Sequence, residues 1–350
     1  MADATKPGIS AGSAPAASYE VKVDGLSIST QAEPNHLDRL VVETHLDKIG
    51  VAHLSYNGDF KPGAVSIGAK VEISVGGSAD PVFTGQVTAF RHSWRGGRET
   101  ITLEAMDPLV LLAASRNTRV WGGGTSDSIT DSDCVQAVLS DAGCTTGNIE
   151  STAGSRPYVM QRNESDLAFI KRLAARNGYL VYCSATGEVL FQKPQFSNES
   201  LEVTQQDIIQ LDYVRSDTHL PSSVVVVGWD YKTKSSVVGE SDQVTTIGSG
   251  EAAAATTFKG ASYVSDVFVD SESGAKAMAT AELDRCARTY VQGSCTTVGN
   301  GALRTGEKVR FIGSYEGFNP EGLVVGVRHV VEAGTVFQST FWFVGNTVPS

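Results

Sequence analysis

The sequence predicts a mainly β chain with α+β insertions, and three observations lead there. A stretch from Gly85 to Leu103, GQVTAFRHSWRGGRETITL, has a close relative near the other end of the chain. Gly85, Val87, Arg91, His92 and Gly97 recur as Gly322, Val324, Arg328, His329 and Gly334 at one constant offset, so both copies read G-x-V-x-x-x-R-H-x-x-x-x-G. The flanks repeat as well: GAKVEISV (Gly68 to Val75) precedes the first copy and GEKVRFIG (Gly306 to Gly313) the second. Alternating segments, Ile101 to Glu104 and Phe337 to Phe341, follow them. Strand, loop, hairpin and strand therefore occur twice, with a period far too long for a solenoid. The expectation is two similar antiparallel β-barrel or sandwich domains, a small α/β domain and a second peripheral insertion.

Composition agrees with this class. The chain has 350 residues, 19% of them charged and 8% aromatic, with 36 Gly against 11 Pro. That is enough length for two or three domains, in a turn-rich β protein. The net charge of −11 argues against nucleic-acid sequence recognition, which needs a basic excess to neutralise phosphates. Cys134, Cys144, Cys183, Cys286 and Cys295 contain no C-x-x-C and no Cys/His cluster, so neither a disulfide framework nor a zinc site is expected. No apolar run approaches the ~18 residues that span a bilayer, and the start of the chain lacks an apolar signal core. A chain made in the cytoplasm with no membrane anchor is expected.

Residues 1–18, rich in Ala, Gly, Ser and Pro, read as a flexible arm. The first β domain is expected over 19–115. Tyr19, Val21 and Val23 alternate, and Val71, Ile73 and Val75 share one face of a half-buried strand. Gly96-Gly97 turns a hairpin whose return strand lines one face with Ile101, Leu103 and Ala105. Over 116–200 the texture changes. Asp131 or Ser132 is placed to cap a helix bearing Val135, Val138, Leu139 and Ala142, with Gly143 at its C-terminal end. A second helix, capped by Asn163 and running from Glu164 to Asn177, buries Leu167, Ile170, Leu173 and Ala174. It leaves Lys171, Arg172 and Arg176 on exposed and C-terminal positions. Gly178 ends it, and a hairpin from Tyr179 to Gln192 follows.

Residues 201–235 and 296–346 are expected to form the second β domain, with Val224 to Val227 as a buried run. The insertion over 236–295 is expected to hold a mobile Gly239 to Glu251 loop. A helix over 271–290 carries Ala275, Met278, Ala279, Leu283, Cys286 and Tyr290 on one stripe, with Met278 and Cys286 as core filler.

Chemistry is sparse. There is no P-loop, no H-E-x-x-H, no G-x-S-x-G and no EF-hand loop. Gly122-Gly123-Gly124 before Thr125-Ser126-Asp127 lacks the Lys of a phosphate loop. The six histidines, His36, His45, His53, His92, His219 and His329, lie without partners at ligand spacing. Glu164 and Asp166 resemble a glycosidase pair only until their place in a first helical turn is considered. Trp94, Trp121, Trp229 and Trp342 would make a sugar platform if they clustered on the surface. No catalytic, metal or cofactor site is expected. Two classes compete: a structural hub, and an enzyme or carbohydrate-binding module of the cell envelope.

One segment carries a resemblance. Tyr158, Gln161, Asn163, Glu164, Ser165, Asp166, Phe169, Leu173, Ala174, Gly178 and Tyr179, followed by a strand ending in Phe191, resemble the signature segment of contractile-tail hub proteins. That family includes the phage late-control D proteins, the hubs of contractile injection systems and the N-terminal part of type VI secretion VgrG proteins. The resemblance covers nearly the whole chain and implies two tube domains flanking a small α/β domain. It further implies a homotrimer acting as symmetry adaptor between a trimeric spike and the hexameric inner tube. Inner-tube or tube-initiator proteins and baseplate wedge proteins are the implied neighbours, in a phage virion or injection particle. Because the sequence ends at Ser350 directly after the second β domain, the spike is expected to be a separate chain.

Overall fold

A computed structural model describes residues 18–30, 36–58, 65–78, 80–124, 128–196, 201–230, 233–248, 251–253, 259–265, 269, 271–313, 321–333 and 335–348. The expected arm before Ser18, the Thr125 to Asp127 segment and Gly334 lie outside the described residues.

Alternating sequences make the framework. In Tyr19–Val23, Val51–Asn57, Lys70–Val75 and Arg98–Met106 every second side chain enters one core, because successive Cβ atoms point to opposite faces of a strand; Leu37–His45 sends Leu37, Leu40 and Val42 into the same core, with a register shift after Leu37. Leu40, Leu54, Tyr56, Ile73, Phe83 and Leu103 fill that core. The strands pair in the order Leu37–His45, Val51–Asn57, Arg98–Met106, Phe83–Arg95, Lys70–Val75, Tyr19–Val23 and Leu26–Thr30. Gly96 and Gly97 turn the long hairpin with φ of 58° and 81°, the left-handed pair that a two-residue hairpin loop needs.

The C-terminal strands repeat this order. Ile208–Arg215, Val291–Val298, Gln338–Gly345, Glu321–Glu332, Lys308–Ile312 and Leu201–Thr204 are successive neighbours. Their core is built on Phe311, Phe341 and Phe343, with the Phe311 and Phe343 rings 4.9 Å apart. One pairing differs: Tyr19–Val23 lies antiparallel to Lys70–Val75, whereas Leu201–Thr204 runs parallel to Lys308–Ile312.

The mainly β architecture with two similar antiparallel strand sets is as expected, but among the described residues the sets do not close into two separate barrels. The described strands of both sets belong to one 13-stranded sheet, joined where Glu321–Glu332 pairs antiparallel with Leu37–His45. The physical reason is edge use. Having paired with Gln338–Gly345 on one side, Glu321–Glu332 gives most of its other side to the N-terminal set and does not fold back on its own. Val331 and Phe337 consequently lie in the N-terminal core.

Between the sets lies an α/β unit with its own core. It comprises α1 (Leu109–Ala114), α2 (Asp131–Asp141) and α3 (Asp166–Asn177), the pair Arg116–Gly122 with Tyr158–Ser165, and a three-stranded sheet. Two caps differ from expectation. Thr130, not Asp131 or Ser132, caps α2 through a reciprocal box with Asp133. Ser165, not Asn163, caps α3, its Oγ accepting from Ala168 N at 3.1 Å. Asn163 and Glu164 stay in the preceding strand, where Asn163 occupies a bulge at φ 46°; Asn tolerates that region better than most residues.

The peripheral part also departs from expectation. Among the described residues Ser223–Asp230, which carries Val224 to Val227, does not pair with the second strand set. It forms a three-stranded sheet with Ser235–Ser241 and Ala261–Val264. That sheet packs on α4 (Glu272–Ala287) around Val224, Val226, Val237 and Leu283. Helix α4 ends before Tyr290, and Cys286 sits only half-buried beside Glu282 and Arg285. The segment from Gly239 is strand as far as Ser241, and Ile247 beyond it is fully buried, its N–H donating to Asn346 Oδ1 at 2.7 Å.

Candidate functional site

The duplicated motif residues described in both copies, Gly85, Val87, Arg91 and His92 with Gly322, Val324, Arg328 and His329, occupy matching places in the two strand sets. Val71 lies opposite Gly85, and Val309 opposite Gly322. Val87 faces Ala105, and Val324 faces Phe343; each pairing is followed at once by a register shift. After the shift Arg91 faces Thr102 and His92 faces Ile101, while Arg328 faces Thr340 and His329 faces Ser339. A bulge at the same step of both hairpins is a specific feature, because it sets which face every later side chain takes.

Their surroundings differ. Arg328 and His329 lie at the seam, opposite Glu43 and Val42 of the N-terminal set. His329 is buried, shares a 2.9 Å hydrogen bond with Ser339 Oγ, and is pushed down to about 3 by burial, with the Arg304 charge acting the same way. Arg91 and His92 lie on the exposed arm of the first hairpin, where His92 meets Glu99. Among the described residues no strand lies beside Ala89 to Arg95 on the side away from Arg98–Met106. At the opposite end of the sheet, Ile208–Arg215 likewise has one uncovered edge.

The signature segment builds a buried polar node. Asp166, in the first turn of α3, accepts from Gln161 Nε2 at 2.7 Å, Asn117 Nδ2 at 3.0 Å and Arg119 Nη2 at 3.1 Å. Arg176, expected at the surface, turns inward to bind Asp131 at the start of α2, where Asn177 Nδ2 also donates at 2.7 Å. Glu164 is held by Arg172 at 2.6 Å. These carboxylates are matched to basic and amide donors, which is what burial of charge requires. Phe169 stacks on Trp121 at 5.0 Å, Leu173 is fully buried, and Tyr179 donates to Ser151 O at 2.8 Å, its phenol pushed up to about 12 by burial. Tyr158 is exposed. Gly178 closes α3 at φ 71°, and a Cβ there would meet Ala281 Cβ of α4 at 3.0 Å.

Sequence reasoning missed Asp107. Its two carboxylate oxygens accept from Gly50 N at 2.6 Å and Leu109 N at 2.9 Å, tying the first strand set to α1, and burial pushes it up to about 7. No motif announces it. The tryptophans do not make one platform: Trp121 stacks in the α/β core and Trp342 packs against His45 at 5.3 Å. Trp94 and Trp229 are exposed in the first hairpin and the peripheral sheet respectively. A groove of about 1200 Å³ runs between α3, α4 and the joined sheet, with Glu43, His45, Lys171 and Arg285 on its walls. Among the described residues no three His, Cys, Asp or Glu side chains gather as a metal site, and no helix is long and apolar enough to cross a membrane.

Comparison with known proteins places this architecture. The 43 kDa tail protein of prophage MuSo2 from Shewanella oneidensis superposes with a TM-score of 0.68 at 14% identity, over 94% of this chain and 98% of that one. The tail protein from Neisseria meningitidis MC58 gives 0.70 at 12% identity, over 95% and 98%. The E. coli c3393 protein, a type VI secretion component described as similar to T4 tail proteins gp27 and gp5, gives 0.62 at 15%, over 94% and 77%. No curated protein sequence matches. These likenesses establish a shared fold. The sequence profile of the phage tail baseplate hub (GPD) family matches residues 48–335, and with the mainly β architecture around a central α/β unit, the chain belongs to the phage tail baseplate hub family.

Proposed function

We propose that the chain acts as a homotrimeric hub of a contractile baseplate, adapting a three-fold spike to a six-fold inner tube. The observation that supports this most is the register match between the two strand sets, bulge included. A trimer and a hexamer cannot share one closed symmetry unless some component presents both periodicities. Three chains carry six similar strand sets, which suit a ring of six tube subunits. The α/β unit and the α4 unit occur once per chain and suit three-fold contacts to the spike and to wedge proteins. The chain is made in the cytoplasm and joins the particle during assembly.

The same reading assigns no catalysis. Asp131, Asp166 and Glu164 are each engaged by an arginine, which suits structural carboxylates better than a general acid and base at work. Counting hub chains per purified particle by quantitative mass spectrometry tests the hub: three are expected, and another number ends the adaptor reading. Zymography on peptidoglycan should show no clearing. Clearing abolished by Glu164→Gln would favour an envelope-acting enzyme.

A further inference from the structure

The seam inside the chain has two loose counterparts. In the C-terminal set, Val327, His329 and Val331 point to one side of Glu321–Glu332 and are all nearly fully buried, because Leu37–His45 covers that edge. The matching positions of the N-terminal set are Phe90, His92 and Trp94, which share a face of an uncovered edge. Phe90 is 43% exposed and Trp94 71%. The strand that corresponds to Leu37–His45 is Ile208–Arg215, as the pairings show. Leu40 faces Leu54, whose other neighbour is Leu103; Leu211 faces Cys295, whose other neighbour is Phe341. Leu103 and Phe341 hold the same place in their hairpins, opposite Phe90 and Val327. Among the described residues Ile208–Arg215 also has an uncovered edge, and Ile209, Tyr213 and Val214 on it are exposed.

We infer that the Ala89–Arg95 edge of one copy takes the Gln210–Arg215 edge of the next copy as an added antiparallel strand, in the register of the seam within each chain. The inference rests on the trimeric reading given above. It specifies which surfaces meet. Carrying Val331–Leu40, Val330–Val41, His329–Val42 and Arg328–Glu43 across gives Trp94 opposite Leu211, Ser93 opposite Asp212, His92 opposite Tyr213 and Arg91 opposite Val214. Trp94 and His92 would then be covered, as Val331 and His329 are. On the other face Asp212 would sit diagonally between Arg91 and Arg95, within reach of long side chains. Exposed apolar edge strands are templates for pairing with another chain. Each copy offers one edge of each kind, so a head-to-tail ring closes without leaving either bare.

Pairs of cysteines read the register directly. In assembled particles, Ser93→Cys with Asp212→Cys should oxidise to covalent multimers up to a closed trimer on a non-reducing gel. Ser93→Cys with Tyr213→Cys points to opposite faces and should cross-link at least about ten-fold less. Particles that hold three hub copies but show no preference for the first pair would overturn the inference while leaving the trimeric hub intact. A cross-link to a different protein would overturn it too, by showing another occupant of the edge. A copy number other than three removes the trimeric reading, and the inference with it. Should the cysteine variants assemble poorly, Trp94→Asp decides: particle yield is expected to fall at least about ten-fold with the melting of the isolated chain unchanged, because the substitution places a charge on an interface that only assembly buries. Wild-type yield from that variant would overturn the inference.

Discussion

Arg328 and Glu43 face each other across the seam between the two strand sets, their side chains 3.9 Å apart, whereas Arg91, at the matching place in the first set, has among the described residues no strand on its side away from Arg98–Met106. The pair marks the seam but does not hold it. Both side chains are partly exposed, and exposed ion pairs contribute about 0–1 kcal/mol. Arg328→Ala should therefore lower stability by less than about 1 kcal/mol in urea unfolding. Val331→Asp, which places an unpaired charge in the core beneath, should cost about 3–5 kcal/mol. Equal midpoints for these two variants would show that the seam is not packed as described.

Helix α3 is held through its buried stripe. Leu173 is fully buried with Ile170 and Phe169 against Val181, Val189 and Phe191. Leu173→Asp should cost about 3–5 kcal/mol by burying a charge without a partner. If that variant assembles and melts like wild type, α3 is not the anchor of the α/β unit.

Gly178 answers two demands at once, a left-handed end to α3 and close approach of α4. Gly178→Ala should lower stability by about 1–2 kcal/mol from the backbone conformation alone. Gly143, also at positive φ but with nothing within 4 Å of its Cβ position, serves as the control. Thermal melts should show Gly178→Ala at least as destabilising as Gly143→Ala.

Asp107 makes stability depend on pH with a definite sign. Its folded value, raised to about 7 by burial, exceeds the roughly 3.9 of an unfolded Asp. The unfolded chain therefore releases this proton first, so the contribution of Asp107 to stability is complete below about 4 and is lost as pH rises toward 7. Burial of His329, pushed down to about 3, works the other way: its contribution is complete above about 6.5 and fades as pH falls. The two slopes separate by mutation. Subtracting the Asp107→Asn urea curve from wild type should leave a loss on the order of 2–4 kcal/mol between pH about 4 and 7. A flat difference would mean Asp107 ionises normally, stabilised by its two backbone donors.

The local pattern of the sequence was informative where it determines the local structure. Gly85, Val87, Arg91 and His92 repeat as Gly322, Val324, Arg328 and His329, and the strands carrying them share one register because a period of two and a bulge are written locally. The seam was not legible. Leu37–His45 and Glu321–Glu332 lie at opposite ends of the chain, and nothing in an alternating strand says which remote edge it will join. His92 and His329 make the same point, since one motif residue is exposed and the other buried according to which edge found a partner. The cap of α3 was misplaced because Asn163 and Ser165 are both good caps, and the bulge that removes Asn163 from the helix comes from pairing with Arg116–Gly122. Val224 to Val227 read as a buried run, which they are in part, but a buried run does not disclose which of two cores it enters.

Reconstruction of the assembled baseplate by electron microscopy, without imposed symmetry, is the most direct measurement of the central claim. Three hub copies are expected, with six strand sets alternating N-terminal and C-terminal around one ring toward the tube and the α/β units outside it. Any other copy number, or strand sets that do not share a ring, would contradict it.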